Sequence, residues 1–239
     1  MLKQQVQVSD WGVVDYAEAW DRQEALLKAN VDIKLNSRNS LSEPNVPNSP
    51  TSHHLIFCEH PPVYTLGKSG DMANVLLSDE ELHQRGISFF KTNRGGDITY
   101  HGPGQIVGYP IIDLEKFTTD IGLYLRNIEE VIIRTIGQFG LTGERSAGET
   151  GVWLDSGKKG RERKICAIGV RCSRWVTMHG YALNVNTDLG YFGNIIPCGI
   201  QDKQVTSLSQ ELGEDIDMKL VKNMIVSNFA EVFDADMYW

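Results

Sequence analysis

RGGDITYHGPGQIVGYP, residues 94–110, packs five glycines, two prolines and one histidine into a short run. Gly95, Gly96, Gly102 and Gly104 let a backbone come close to a ligand. The run is not a phosphate loop, because no G-K-[ST] closes it. Nor is it a G-x-G-x-x-G turn opening a helix. The ordinary reading of such a cluster is a pair of turns bounding a strand. Arg94 and His101 flank the glycines, however, and polar groups beside glycine suit a binding loop. Taken alone, His101 is more often a hydrogen-bonded structural residue than a catalyst.

Working outward, GQIVGYPIIDL is β-branched and strand-like. HHLIFCEH and PVYTLG read as two short strands around a Pro-Pro turn. Residues 10 to about 30 are rich in helix formers. The stretch NSRNSLSEPNVPNSPTS, about 36–52, reads as a flexible loop. SDEELHQRG carries a capping box, with Ser78 as N-cap, Glu81 three positions on and Gly86 as the stop. The clearest helix is 120–139, capped by Asp120 and ended by Gly140. GVWL, KICAIGV and WVTMHGYALNV follow as strands. VTSLSQELG reads as a short helix, and Asp217 caps a last amphipathic one. Helices and strands mix without βαβ alternation, so the pattern predicts an α+β fold with a mixed or antiparallel sheet flanked by helices. One domain spanning 1–239 accommodates it.

Hydrophobic residues make up 41% of the 239, and charged residues 23%. No apolar run is long enough to span a bilayer, and the N-terminus lacks a signal-peptide core. A cytoplasmic protein is expected. The net charge of −8 argues against nucleic-acid binding. Cations nevertheless gather at 158–174: Lys158, Lys159, Arg161, Arg163, Lys164, Arg171 and Arg174. Either this is a solvated loop or it docks an acidic partner.

The four cysteines, Cys58, Cys166, Cys172 and Cys198, form no C-x-x-C, so a zinc site is not expected. Three sit in strand-like sequence. Cys198 alone lies in an irregular turn, between Pro197 and Gly199. Chemistry leaves it open as packing residue, metal ligand or nucleophile. In the strand 164–170, alternation puts Lys164, Cys166, Ile168 and Val170 on one face. Lys164 either snorkels to solvent or sits at a pocket rim as a base. His179-Gly180 interrupts a further strand, and the glycine there marks a close backbone approach.

Together EHPPVYTLG, RGGDITYHGPGQIVGYPIIDL, KICAIGVR, WVTMHGYALNVNTDL and IIPCGI…VTSL resemble the lipoyl(octanoyl) transferases, in order from about residue 54 to 208. The resemblance implies the catalytic-domain fold shared by biotin and lipoate protein ligases. It implies transfer of octanoyl from octanoyl-acyl carrier protein to one lysine of a lipoyl domain. The acceptors would be 2-oxoacid dehydrogenase complexes and the glycine cleavage H protein, with no cofactor, metal, nucleic acid or membrane involved. It makes Cys198 the acyl-thioester nucleophile and Lys164 its thiolate-promoting base. It assigns the acyl site to Arg94, Gly95, Gly96, Asp97, Ile98, Thr99, Tyr100 and His101, to Ala167, Ile168 and Gly169, and to Gly180, Tyr181 and Ala182. The 36–52 loop departs from the family pattern as an insertion. Two other readings are an ATP-dependent lipoate–protein ligase and a non-catalytic binder of acyl groups or lipoyl domains.

Overall fold

A computed structural model describes residues 3–39, 50–196 and 204–239. The chain opens with β1 (Gln4–Val13), followed by α1 (Tyr16–Asn39). The helix expected from residue 10 therefore begins later. Val6 and Val8 alternate into the core, and Asp10 and Val13 still pair with the neighbouring strand. The helix also ends later than expected, taking in residues 36–39 of the Ser/Asn/Pro stretch. There the Ser37 hydroxyl bonds back to the Ile33 carbonyl (2.9 Å), and Lys34 is buried against Asp113. Residues 40–49 lie outside the described residues. The end of the stretch is tied down, with the Ser52 N–H on Asn30 (2.8 Å) and the Thr51 hydroxyl on Asp113 (3.1 Å).

Next come β2 (His54–Glu59), β3 (Val63–Leu66), α2 (Asp79–Gln84), β4 (Ser88–Lys91), β5 (Ile98–His101) and β6 (Gln105–Ile111). Then follow α3 (Ile121–Gly137), β7 (Val152–Leu154), β8 (Arg163–Ser173) and β9 (Val176–Asn184). The chain closes with β10 (Gln204–Val205), α4 (Leu208–Leu212), α5 (Met218–Val232) and β11 (Ala235–Tyr238). The capping box at Ser78 and Glu81 forms with both its bonds, and Asp120 accepts from the Leu123 N–H (2.9 Å) to start α3.

Among the described residues the strands form two sheets. The larger runs β10-β8-β9-β6-β2-β1-β11, with β7 added against β8. It is mixed: β6, β9, β8 and β7 pair antiparallel, while β1 is parallel to both β2 and β11. Both faces are buried, so the alternation along β2 is apolar on each side. Leu55 and Phe57 pack with Ile128, Ile132 and Phe229 of α3 and α5; Ile56 and Cys58 pack with Ala19 and Leu27 of α1. The smaller sheet, β4-β3-β5, has its own core of Tyr64, Leu66, Ile98 and Tyr100 beneath α2. The Pro-Pro turn thus carries the chain from one sheet to the other. No helix of the described residues is long and apolar enough to cross a membrane.

Candidate active site

A cavity of about 610 Å³ opens where the smaller sheet lies over β8 and β9. Its walls include residues 94–99 and His101 from the Gly-rich stretch, 167–169 from β8 and 180–182 from β9. Lys164 lines it as well. Tyr100 does not belong to this wall. Strand alternation turns its ring the other way, where it stacks on Tyr191 (4.7 Å between centroids) in the smaller sheet's core.

Arg94 organises the Gly-rich loop. Its buried guanidinium donates to the carbonyls of Thr65 (2.5 Å), Gly95 (3.0 Å) and Asp97 (2.8 Å) and to the Thr65 hydroxyl (2.9 Å). A charge so enclosed by carbonyls draws the loop closed around itself. The loop is then laid on the larger sheet by the Gly95 N–H, which donates to the Val170 carbonyl (2.9 Å). A Cβ at Gly169 would lie 2.9 Å from the Gly95 oxygen, so only glycine permits this approach.

The histidines are neutral fixtures. The Gln105 amide nitrogen donates to the Tyr100 carbonyl (3.1 Å) and to Asn184 (2.9 Å), which leaves its oxygen to accept from His101 Nδ1 (2.8 Å). His101 Nε2 faces the Thr65 hydroxyl at 3.4 Å. Burial, with the charge of Arg94 and the His60 ring nearby, pushes His101 down to about 3. His179 is held by Asn93 (2.6 Å) at an unusual φ of +57°, and burial with the charges of Arg94 and Arg171 also lowers it to about 3. Neither ring supplies a cation at neutral pH, and Arg94 is spent on carbonyls.

Lys164 is placed by an irregularity that alternation could not foresee. Val152 pairs with Cys166 but Trp153 pairs with Lys164, so β8 carries one extra residue, Ile165. Ile165 and Cys166 are both fully buried as a result, and the expected common face of Lys164, Cys166, Ile168 and Val170 is broken at the bulge. The Lys164 ammonium lies 4.5 Å from the centre of the Trp153 ring and makes no ion pair among the described residues.

Cys198 lies outside the described residues, with the rest of 197–203. The chain on either side is anchored. The Ile196 N–H bonds to the Asn74 carbonyl (2.9 Å), and Asn74 in turn donates to Asp97 of the Gly-rich loop (2.7 Å). On the other side Val205 pairs with Lys164, and the Thr206 N–H bonds to the Lys164 carbonyl (3.0 Å).

Several lining residues escaped sequence reading: Tyr16, Gln105, Glu149, Thr150, Asn184 and Phe192. Gln105 and Asn184 left a signal, as polar residues in otherwise apolar strands. The basic stretch is ion-paired only in part and keeps a net positive charge, because three of its cations share the single carboxylate of Asp155. Asp155 binds Lys158 (2.5 Å), Arg161 (3.6 Å) and Arg163 (2.6 Å), Glu211 also takes Arg163 (2.6 Å), and Arg171 pairs with Glu24 (2.5 Å). The bonds from Lys158 and Arg163 hold the Asp155 carboxyl at about 2.

Residues 15–230 match the family described as the lipoyl protein ligase A/B catalytic domain. The chain is 55% identical over 237 residues to an octanoyltransferase of Christiangramia forsetii, covering 99% of each chain. It is 56% identical over 235 residues to an octanoyltransferase of Flavobacterium psychrophilum, covering 98% of this chain and 99% of that one. Among solved structures, a bipartite lipoate protein ligase from Thermoplasma acidophilum superposes with a TM-score of 0.69 at 16% identity, over 98% of this chain and 86% of that one, and so shares the fold. Sequence match, fold and cavity agree, and the chain belongs to the lipoyl protein ligase A/B catalytic-domain family as one of its octanoyltransferases, catalysing octanoyl transfer for protein lipoylation.

Proposed function

We propose that the octanoyl group arrives on acyl carrier protein, rests on Cys198 as a thioester, and leaves on a lysine of a lipoyl domain. The observation that carries this reading is Lys164: a cavity-wall ammonium with no ion pair among the described residues, joined through its backbone to the segment that follows Cys198. Such a cation favours a nearby thiolate. The thiolate attacks the donor's carbonyl, the new S–C bond replaces the carrier's, and the carrier leaves as a thiol after taking a proton from Lys164. The acceptor's amine then forms the amide N–C bond as the Cys198 S–C bond breaks; the now neutral Lys164 takes up the amine's proton, and Cys198 leaves as the thiolate it began as. A thioester is already activated, so neither ATP nor metal is required. The cavity buries the acyl chain, at about 0.8 kcal/mol per methylene.

The acceptor class rests on the fold's company. The archaeal ligase of the same fold belongs to a lipoylation system described together with its E2 lipoyl domain. We read the whole chain as one catalytic domain, working in the cytoplasm, where its three described free thiols, Cys58, Cys166 and Cys172, stay reduced. The test is intact-mass analysis after mixing with octanoyl-acyl carrier protein, without ATP. The expected result is one octanoyl adduct, removed by hydroxylamine and absent from Cys198→Ser. Efficient transfer with no adduct on Cys198, or transfer only when ATP is added, overturns the reading.

A further inference from the structure

Lys164 stands directly opposite Trp153 across the β7–β8 pair, at the bulge. Its stem runs past Gly151, where a Cβ would lie 3.5 Å from Lys164 Cε and only 2.7 Å from the Cys166 carbonyl oxygen. The Trp153 ring cannot drift. The residue is 3% exposed, and its backbone exchanges two hydrogen bonds with Glu144 (2.8 and 2.9 Å). A second brace backs this wall: the Gly151 N–H donates to buried Glu129 (3.0 Å), which also takes Arg145 (3.1 Å).

A lysine at a cavity wall usually finds a carboxylate. Lys164 meets a π face instead. The two partners differ in what they leave over. A carboxylate would cancel the positive charge and compete with any thiolate for it. An indole face attracts and orients the ammonium through its quadrupole yet carries no net charge. The full charge of Lys164 is then left for an anion on the cavity side.

We propose that Trp153 is a positioning residue for acyl transfer, holding the Lys164 ammonium at the cavity wall in the place a carboxylate would otherwise take. This rests on the reading of Lys164 given above. It differs from simple packing, because the effect of the ring must pass through the lysine.

The experiment is a double-mutant cycle on full-length protein, read as single-turnover acylation of Cys198 by octanoyl-acyl carrier protein, with thermal midpoints alongside. Trp153→Leu should slow acylation about tenfold with donor KM nearly unchanged, and Trp153→Phe should recover most of the rate. In a Lys164→Ala background, Trp153→Leu should add nothing further. A penalty that persists undiminished in that background overturns the proposal, as does a Phe variant as slow as the Leu one. If Trp153→Leu fails to fold, fluorinated tryptophan keeps the shape while weakening the quadrupole. It should slow the wild type, but not Trp153→Phe grown on the same analogue; equal rates with and without fluorine would sink the idea. Acylation that ignores Lys164→Ala refutes the underlying reading of the site. Acylation that needs Lys164 but ignores Trp153 refutes only this inference.

Discussion

Gly169→Ala puts one methyl group between the cavity's two walls. Its Cβ would sit 2.9 Å from the Gly95 carbonyl oxygen and 3.2 Å from Arg94 Cδ, whereas ordinary contact starts near 3.4 Å. The oxygen is backbone and cannot swing aside, so the loop must lift by roughly 0.5 Å. That strains the Gly95-to-Val170 hydrogen bond, 2.9 Å in the native fold. Overpacking of this kind costs about 1–3 kcal/mol, and the gain from replacing a strand glycine returns about 0.5–1. The net destabilisation should be about 0–2.5 kcal/mol, or up to roughly 10 °C in thermal midpoint for a chain of this size. Activity should fall further than stability, because the lifted segment is the cavity wall itself. A drop of at least about tenfold in kcat/KM is expected from a displacement of this order. Gly137→Ala is the control. It lies at the end of α3 with nothing within 4 Å of the added carbon, and it should be stabilising by about 0.5–1 kcal/mol with activity unchanged. A Gly169→Ala enzyme with native midpoint and native kcat/KM would refute the claim that contact between these walls shapes the site.

Two further outcomes follow from charge. Burial holds His60 down at about 4, and His101 and His179 at about 3, against 6.5 in the unfolded chain. Below about pH 6.5 the unfolded chain takes up protons that the fold refuses, so stability is complete above that pH and falls toward pH 4, by at most about 1.4 kcal/mol per pH unit for each histidine. Urea midpoints measured from pH 7.5 to 4.5 should slope accordingly; a flat profile rules this out. In the basic hairpin, Lys158 and Arg161 are already closed on Asp155. Arg163 shares that same carboxylate, so the hairpin keeps a positive excess; reversing Lys158 and Arg161 should weaken the salt dependence of kcat/KM, and an unchanged dependence would exclude the hairpin as a docking surface.

Local signals in the chain are legible where local physics decides. The capping box at Ser78, the Asp120 cap and the β-branched strands depend on neighbours a few residues away. β1 and β11 were not legible. They pair in parallel from opposite ends of the chain, Gln4 against Ala235, and each has register only through its partner. The bulge at Ile165 defeated the two-residue period because an extra residue shows only when the opposite strand is counted. Tyr100 fell on the wrong side for the converse reason. A loop reading of its motif sends every residue to one site, but the chain is a strand there, and a strand sends alternate residues apart. Lys164 stands out at a strand start, yet nothing in KICAIGV announces that Trp153 will be its neighbour.

The site is divided between two sheets, and this explains why glycines crowd it. One wall is β8 and β9 of the larger sheet; the other is the Gly-rich loop, folded around Arg94 on the smaller one. Side chains at the seam would hold the walls apart, so Gly95 and Gly169 meet there with backbone alone. The chain that brackets residues 197–203 is bonded to both walls, Ile196 to Asn74 beside the loop and Thr206 to Lys164 on β8. Separation of the sheets therefore widens the cavity and displaces one anchor of that segment relative to the other. Cavity width and the spacing of these two anchors are in this way a single mechanical variable, and the seam glycines set it from a distance.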